Sequence, residues 1–200
     1  MQFSDFGPRK VIAAFDGGEI TSDAGILLLR EAAQQLNLFS RMADCFEDHR
    51  DGARVRHSLA DLLNHRVSAM TLGYEDLNDH DALRHDPALR LPGNPDNPAL
   101  AASATLGRLE HSREAADPRY KPFVPKIKKL QNLLVDLYLD SHDSPPERTT
   151  LDIDATDIET HSHQEGSFFH GYYEHRCFLP LYVTCGPHLL LAQLRPGNSI

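Results

Sequence analysis

Apolar positions recur at helical spacing through roughly the first three quarters of the chain and give way to strand-like runs after it. Lys10-Val11-Ile12-Ala13-Ala14-Phe15 reads as a strand or extended arm ending in the turn Asp16-Gly17-Gly18. A helix follows, with Ile26, Leu29, Ala33 and Leu36 on one face and Thr21, Ser22 and Asp23 offering N-cap oxygens. The polar connection Glu47–Gly52 leads to a second helix from Ser58, striped by Leu59, Leu63, Val67 and Met70. Another helix is predicted across Ala99–Glu110, with Leu106 and Leu109 as anchors and Ser103 or Thr105 as caps. The strongest pattern lies beyond Pro118, where Ile127, Leu130, Leu134 and Leu137 share one face.

Two polar stretches interrupt these helices. Tyr74–Pro87 is dense in Asp, Glu and His, but these do not keep to one helical face. A metal site is therefore less favoured there than a short helix capped by Asn78 or Asp79 and ended by Pro87. Leu91–Pro98 is a linker of turn formers, and Ser141–Arg148, with Pro145-Pro146, separates the helical part from the rest.

The last quarter changes period. Phe178–Cys185 reads as one strand with a proline near its start, Gly186-Pro187 as a turn and His188–Leu194 as the returning strand. The aromatic run Phe168–His175, with Gly166 and Gly171 near it, is expected to turn sharply under or over that sheet. Before it, Thr150–Asp157 alternates apolar and acidic residues: Leu151, Ile153 and Ala155 on one strand face, Asp152 and Asp154 on the other. Acids are poor strand formers, so the pair suits either a divalent cation or the wet face of an edge strand, and the octet leaves both open. Three strands after a helical region make the predicted class α+β.

Composition narrows the function. The chain has 200 residues, enough for one cored domain or a small domain plus part of another, and no run approaches the ~20 apolar residues of a membrane span. The first residues lack a secretory pattern, and three cysteines without CxxC spacing suit reduced thiols, so a cytoplasmic location is expected. A net charge of -9 argues against a general nucleic-acid coat but leaves room for local basic patches. One such patch gathers Arg50, Arg54, Arg56 and Arg66 with His57 and His65; it reads either as a solvated helix start or as a phosphate contact. Lys121, Lys126, Lys128 and Lys129 load the start of the last helix with positive charge, against the preference of the helix dipole. They are an exposed face or a second phosphate contact.

The motifs Leu151–Asp157, Thr160-His161, Gln164-Glu165-Gly166, Phe169–Tyr173, Leu179–Val183 and Leu194–Asn198 resemble the DDE transposases of bacterial insertion sequences, of the group 1 type. Asp16-Gly17-Gly18, Thr21-Ser22-Asp23, Val55–Leu59 and Gly73–His80 resemble the same family's N-terminal region. The resemblance implies a mainly helical DNA-end-binding region, residues 1–148, followed by the start of a ribonuclease-H-like catalytic domain, 149–200. The fold would be α+β, with the first three antiparallel strands of an incomplete domain. It implies Asp154 as the first acid of the Asp-Asp-Glu triad, with Asp152 as the alternative and fellow metal ligand and Asp157 a weaker choice. The chemistry implied is phosphoryl transfer with two Mg²⁺ or Mn²⁺ ions roughly 4 Å apart. The implied partners are DNA, both terminal repeats and target, with a homodimer on DNA left open and no membrane. Nucleic-acid contacts are assigned to Arg50, Arg54, Arg56, Lys126, Lys128 and Lys129.

Ser162 stands where the family's Thr-His-Gly would have glycine, and no residue matches the second aspartate or the glutamate. The chain is therefore expected to be the N-terminal portion of a transposase, inactive alone and binding metal weakly or not at all. The competing readings are a DNA-binding module that regulates or inhibits a full-length transposase, and a zinc site from His161, His163, His170 and His175 with Cys177. The spacing disfavours the second.

Overall fold

The computed structural model describes residues 16–90, 99–111, 122–161 and 163–199; the predicted strand Lys10–Phe15, the linker Leu91–Pro98, Lys121 and Ser162 lie outside them. The chain divides into two compact units, Met1–Val124 and Pro125–Ile200, so the packing groups the last helix with the strands.

In the first unit α1 (Ile26–Gln35) and α2 (Leu38–Ala43) precede a short strand β1 (Phe46–Asp48) and a 3₁₀ turn at Gly52–Arg54. The long α3 (Leu59–Thr71) follows, then a 3₁₀ turn at Leu77–Asp79, α4 (His80–Leu83), α5 (Pro87–Arg90) and α6 (Ser103–Glu110). Strand β2 (Phe123–Pro125) pairs with β1. The N-cap of α1 is Gly25, without a side-chain cap; Thr21 instead accepts from the Asp23 N–H at 2.9 Å in a local turn. Asn37, left-handed at φ 49°, separates α1 from α2, a break the periodicity did not show.

α3 organises this unit. Ser58 and Asp61 form a capping box that satisfies backbone donors at its start. Its Leu59, Leu62 and Leu63 pack with Ala101, Leu106, Leu109 and Phe123, and its Ala69 joins a second cluster of Ile26, Leu83, Ala88, Leu89 and Leu100. The predicted stripe is corrected at its end: Met70 is 51% exposed, and the inward face runs through Leu62, His65 and Ala69. Pro87 opens α5 rather than ending a helix. Asp86 accepts from the Ala88 and Leu89 N–H groups at 2.9 and 3.0 Å, while Pro87 has no donor to leave unsatisfied. Among the described residues, α6 takes its N-terminal partner from another element, because Asp81 of α4 accepts from both the N–H and the hydroxyl of Ser103 at 3.0 and 2.8 Å.

The second unit is α7 (Ile127–Asp140) with two antiparallel three-stranded sheets. β3 (Asp152–Ala155), β7 (Leu181–Cys185) and β8 (His188–Gln193) form one, in that order, with Gly186 at φ 55° turning the β7–β8 hairpin. The other is β4 (Ile158–Glu159), β6 (His175–Phe178) and β5 (Phe168–His170), ordered β4-β6-β5. Two expectations are corrected. The aromatic run does not simply turn beside the sheet; it is the β5–β6 hairpin. Phe178–Cys185 is not one strand, since Leu179-Pro180 divides β6 from β7 where proline lacks the ladder N–H. Gly197 lies where a Cβ would collide with the Cys177 carbonyl oxygen and sit 3.0 Å from the Phe168 backbone, so only glycine lets the last segment approach this sheet.

α7 packs on β8 and buries Leu133 and Tyr138. Leu130, Leu134 and Leu137 of the predicted stripe are half-buried, but Ile127 is exposed. Cys185 lies 3.6 Å from the Tyr138 hydroxyl and the His188 ring 5.3 Å from the Tyr138 ring, which fixes the sheet face turned towards the helix. By strand alternation that face carries Val183 and its partner Ile153. Ile153 is nevertheless 64% exposed: α7 lies over β8, and β3 is at the far edge. The apolar face expected of β3 is thus not buried among the described residues. None of the three cysteines forms a disulfide; Cys45 and Cys177 are buried and Cys185 is half-buried.

Candidate functional site

Strand β3 carries the acids. Asp152 stands opposite Thr184 and Asp154 opposite Tyr182, so both carboxylates project from the sheet face away from α7. Both residues are exposed, and among the described residues neither carboxylate has a hydrogen-bond or ion-pair partner. Two open carboxylates on one rigid strand have the oxygen chemistry that Mg²⁺ or Mn²⁺ takes, though they fill only part of a coordination shell. Asp157, just past the strand, is engaged: its carboxylate lies 2.7 Å from His175 Nε2. Among the described residues no group of three or more His, Cys, Asp or Glu is placed to hold a metal ion. That applies to the histidine and Cys177 set and to Tyr74–Pro87 alike.

Five arginines of the first unit meet in a cleft of about 540 Å³. Its walls come from three segments: Arg50, Arg54, Arg56 and His57 before α3, Arg84 at the end of α4, and the N-cap Ala102 with Thr105 and Arg108 of α6. Five arginines face one aspartate, Asp51, in this lining. Arg50 is the anchor. Its guanidinium bonds both oxygens of Asp48 at 2.8 and 2.6 Å, donates to the His57 carbonyl at 2.9 Å and stacks 4.6 Å from the Phe123 ring centre. That bidentate pair holds the Asp48 carboxyl below its ordinary range. Burial is the main cause pushing His57 below the usual imidazole value, with nearby arginines acting the same way. Arg54 is exposed and only 3.4 Å from Asp51, a contact worth little in solvent.

Arg66, grouped with these arginines in the sequence, is spent elsewhere, on Glu110 and on the Tyr74 and Glu75 carbonyls at 3.3 and 2.8 Å. His65 is buried in the core. Arg84 and Arg108 were not legible as part of the patch, because only the fold brings α4 and α6 to it. The lysines belong to the second unit: Lys126 is the N-cap residue of α7, and Lys128 and Lys129 are exposed in its first turn.

Among the described residues no helix is long and apolar enough to cross a membrane. No curated protein and no solved structure matches the chain. A family model described as Transposase DDE domain group 1 matches residues 3–200. That family implies a ribonuclease-H-like fold, and the α+β arrangement seen here, with β3, β7 and β8 in an antiparallel sheet, is consistent with it. Matched across nearly its whole length, the chain belongs to the Transposase DDE domain group 1 family.

Proposed function

We propose that this chain serves in cutting and joining DNA ends by metal-dependent phosphoryl transfer, with Asp154 as the first carboxylate of the triad and Asp152 as its companion ligand. The observation that carries this is the open pair on one face of β3. Mg²⁺ or Mn²⁺, when bound, supplies Lewis-acid activation of the attacking oxygen and stabilises the leaving one. The strand's part is positional: sheet pairing through Thr184 and Tyr182 holds each carboxylate in place before any ion arrives. With two carboxylates, affinity is expected on the order of 10⁻³ M. Calorimetric titration of Mn²⁺ should show this binding in the parent chain and lose it in Asp154→Asn. Unchanged binding in that variant removes Asp154 from the role.

Because no third acid converges on Asp152 and Asp154 among the described residues, the 200-residue chain is expected to carry out no strand transfer alone. Strand transfer by the purified chain on DNA bearing its terminal repeats would overturn that. In this reading residues 1–148 hold the DNA-end contacts and 149–200 contribute to the catalytic domain, working in the cytoplasm, with assembly as a homodimer on DNA part of the proposal. The arginine cleft favours a second reading, in which the chain acts as a DNA-binding module that regulates a full-length transposase. Sequence-selective binding that weakens with salt, and weakens further on changing Arg54, Arg56, Lys126 or Lys128, supports it; no binding at low salt excludes it.

A further inference from the structure

The cleft differs from a surface that tracks duplex DNA. A groove-tracking patch is extended, and its cations meet successive phosphodiesters along a convex rod. Here guanidiniums from three separate segments surround a concavity of about 540 Å³, within the range of pockets that enclose single small ligands. A backbone phosphodiester carries one negative charge and lies flush with the duplex. A phosphomonoester carries about 1.5 to 2 negative charges near neutral pH, with three strong acceptor oxygens. With Arg50 held by Asp48, it is Arg54, Arg56, Arg84 and Arg108, set against Asp51 in so small a lining, that match the second ligand better.

The walls are built to hold their places. Arg50, tied to Asp48, the His57 carbonyl and Phe123, fixes the segment that bears Arg54 and Arg56. Asp81 binds Ser103 and so joins α4 to the first turn of α6, while the Leu100 N–H donates to the Arg84 carbonyl at 3.0 Å. Arg108 stands one turn after Thr105 on α6 and shares its side of the cleft. Arg84 lines the cleft, and its Nε–H is buried and, among the described residues, has no acceptor.

We infer that this cleft captures a terminal phosphomonoester of a DNA strand end, with Arg84 and Arg108 among its ligands alongside Arg54 and Arg56. The inference rests on the DNA-binding reading above and deepens it by naming the group bound. It makes the first unit a reader of strand ends rather than of duplex in general.

The test uses the full 200-residue chain and fluorescence anisotropy at fixed low salt. The probes are two otherwise identical short duplexes, one with 5′-phosphates and one with 5′-hydroxyls, plus thymidine 5′-monophosphate and inorganic phosphate as competitors. The phosphorylated duplex should bind roughly tenfold or more tightly, as charge-assisted hydrogen bonds to an added dianion imply. In Arg108→Gln and in Arg84→Gln the ratio between the two duplexes should fall towards one. On the unaltered chain, inorganic phosphate should displace the phosphorylated duplex more readily than chloride of equal ionic strength does, a readout that no folding defect in a variant affects. Equal binding of the two duplexes overturns the inference and leaves the DNA-binding reading standing. No binding of either at low salt overturns both. Thymidine 5′-monophosphate binding as tightly as the phosphorylated duplex overturns the assignment to a DNA end.

Discussion

Acid should destabilise the first unit through two buried histidines. His65 of α3 is 2% exposed and His80 of α4 is fully buried, their ring centres 4.8 Å apart. Both ring nitrogens of His65 and Nε2 of His80 lack partners among the described residues, while His80 Nδ1 lies 3.3 Å from the Asp76 carbonyl oxygen. Burial, then His80, His57, Arg84 and Arg66, lower the His65 pKa to about 3, and burial lowers that of His80 as well. An unfolded chain takes up a proton on such a residue near pH 6.5, and the folded chain does not. Folding is therefore favoured above that pH and loses stability as pH falls towards the folded value. Between pH 7 and pH 5, His65 alone accounts for a loss of about 2 kcal/mol, with His80 and His57 adding in the same direction. Asp48 and Asp81, whose pKa values are also lowered, lose their contributions only below about pH 4, so they leave this window clear. Urea unfolding followed by helical circular dichroism at pH 7, 6 and 5 measures the slope. His65→Leu should remove about 2 kcal/mol of the decrease. A variant that loses as much as the parent between pH 7 and pH 5 refutes the reasoning.

Other predictions concern single contacts. Ser58→Ala removes the capping box of α3 and should lower the stability of the first unit by about 1 kcal/mol, read in the same urea titration. Gly197→Ala drives a methyl into the Cys177 carbonyl and the Phe168 backbone and should cost about 3 kcal/mol, with amide shifts concentrated in β5 and β6. Asp81→Ala removes the acceptor for Ser103 and should speed hydrogen exchange in the first turn of α6, leaving α7 unchanged.

The four longer helices were legible because helices of eight or more residues repeat an apolar face often enough to be seen. Their details were less so. Met70 continues the spacing of Leu59, Leu63 and Val67, yet the core lies over Leu62, against α6 and β2, and over Ala69, against α1, α4 and α5, so that choice is made outside α3. The β4-β6-β5 sheet escaped because strands of two to four residues span at most two alternations. Pro87 marks a helix stop by its residue type alone, but with Asp86 before it, it makes a start. At the acidic strand the alternation placed Asp152 and Asp154 on one face, as found, but could not show that Ile153 on the other face would lie beyond the reach of α7. In the cleft, local sequence shows Arg50, Arg54 and Arg56 together, whereas Arg84 and Arg108 arrive only through the packing of α4 and α6.

The role of the acidic strand can be tested where it is claimed to act, by adding Mn²⁺ to the isotope-labelled chain and mapping paramagnetic broadening of amide signals. The account predicts broadening centred on Asp152–Ala155 and on Tyr182–Thr184 across the sheet, lost in Asp154→Asn. Broadening centred elsewhere, or undiminished in that variant, would contradict the assignment of Asp154 as the metal-binding carboxylate.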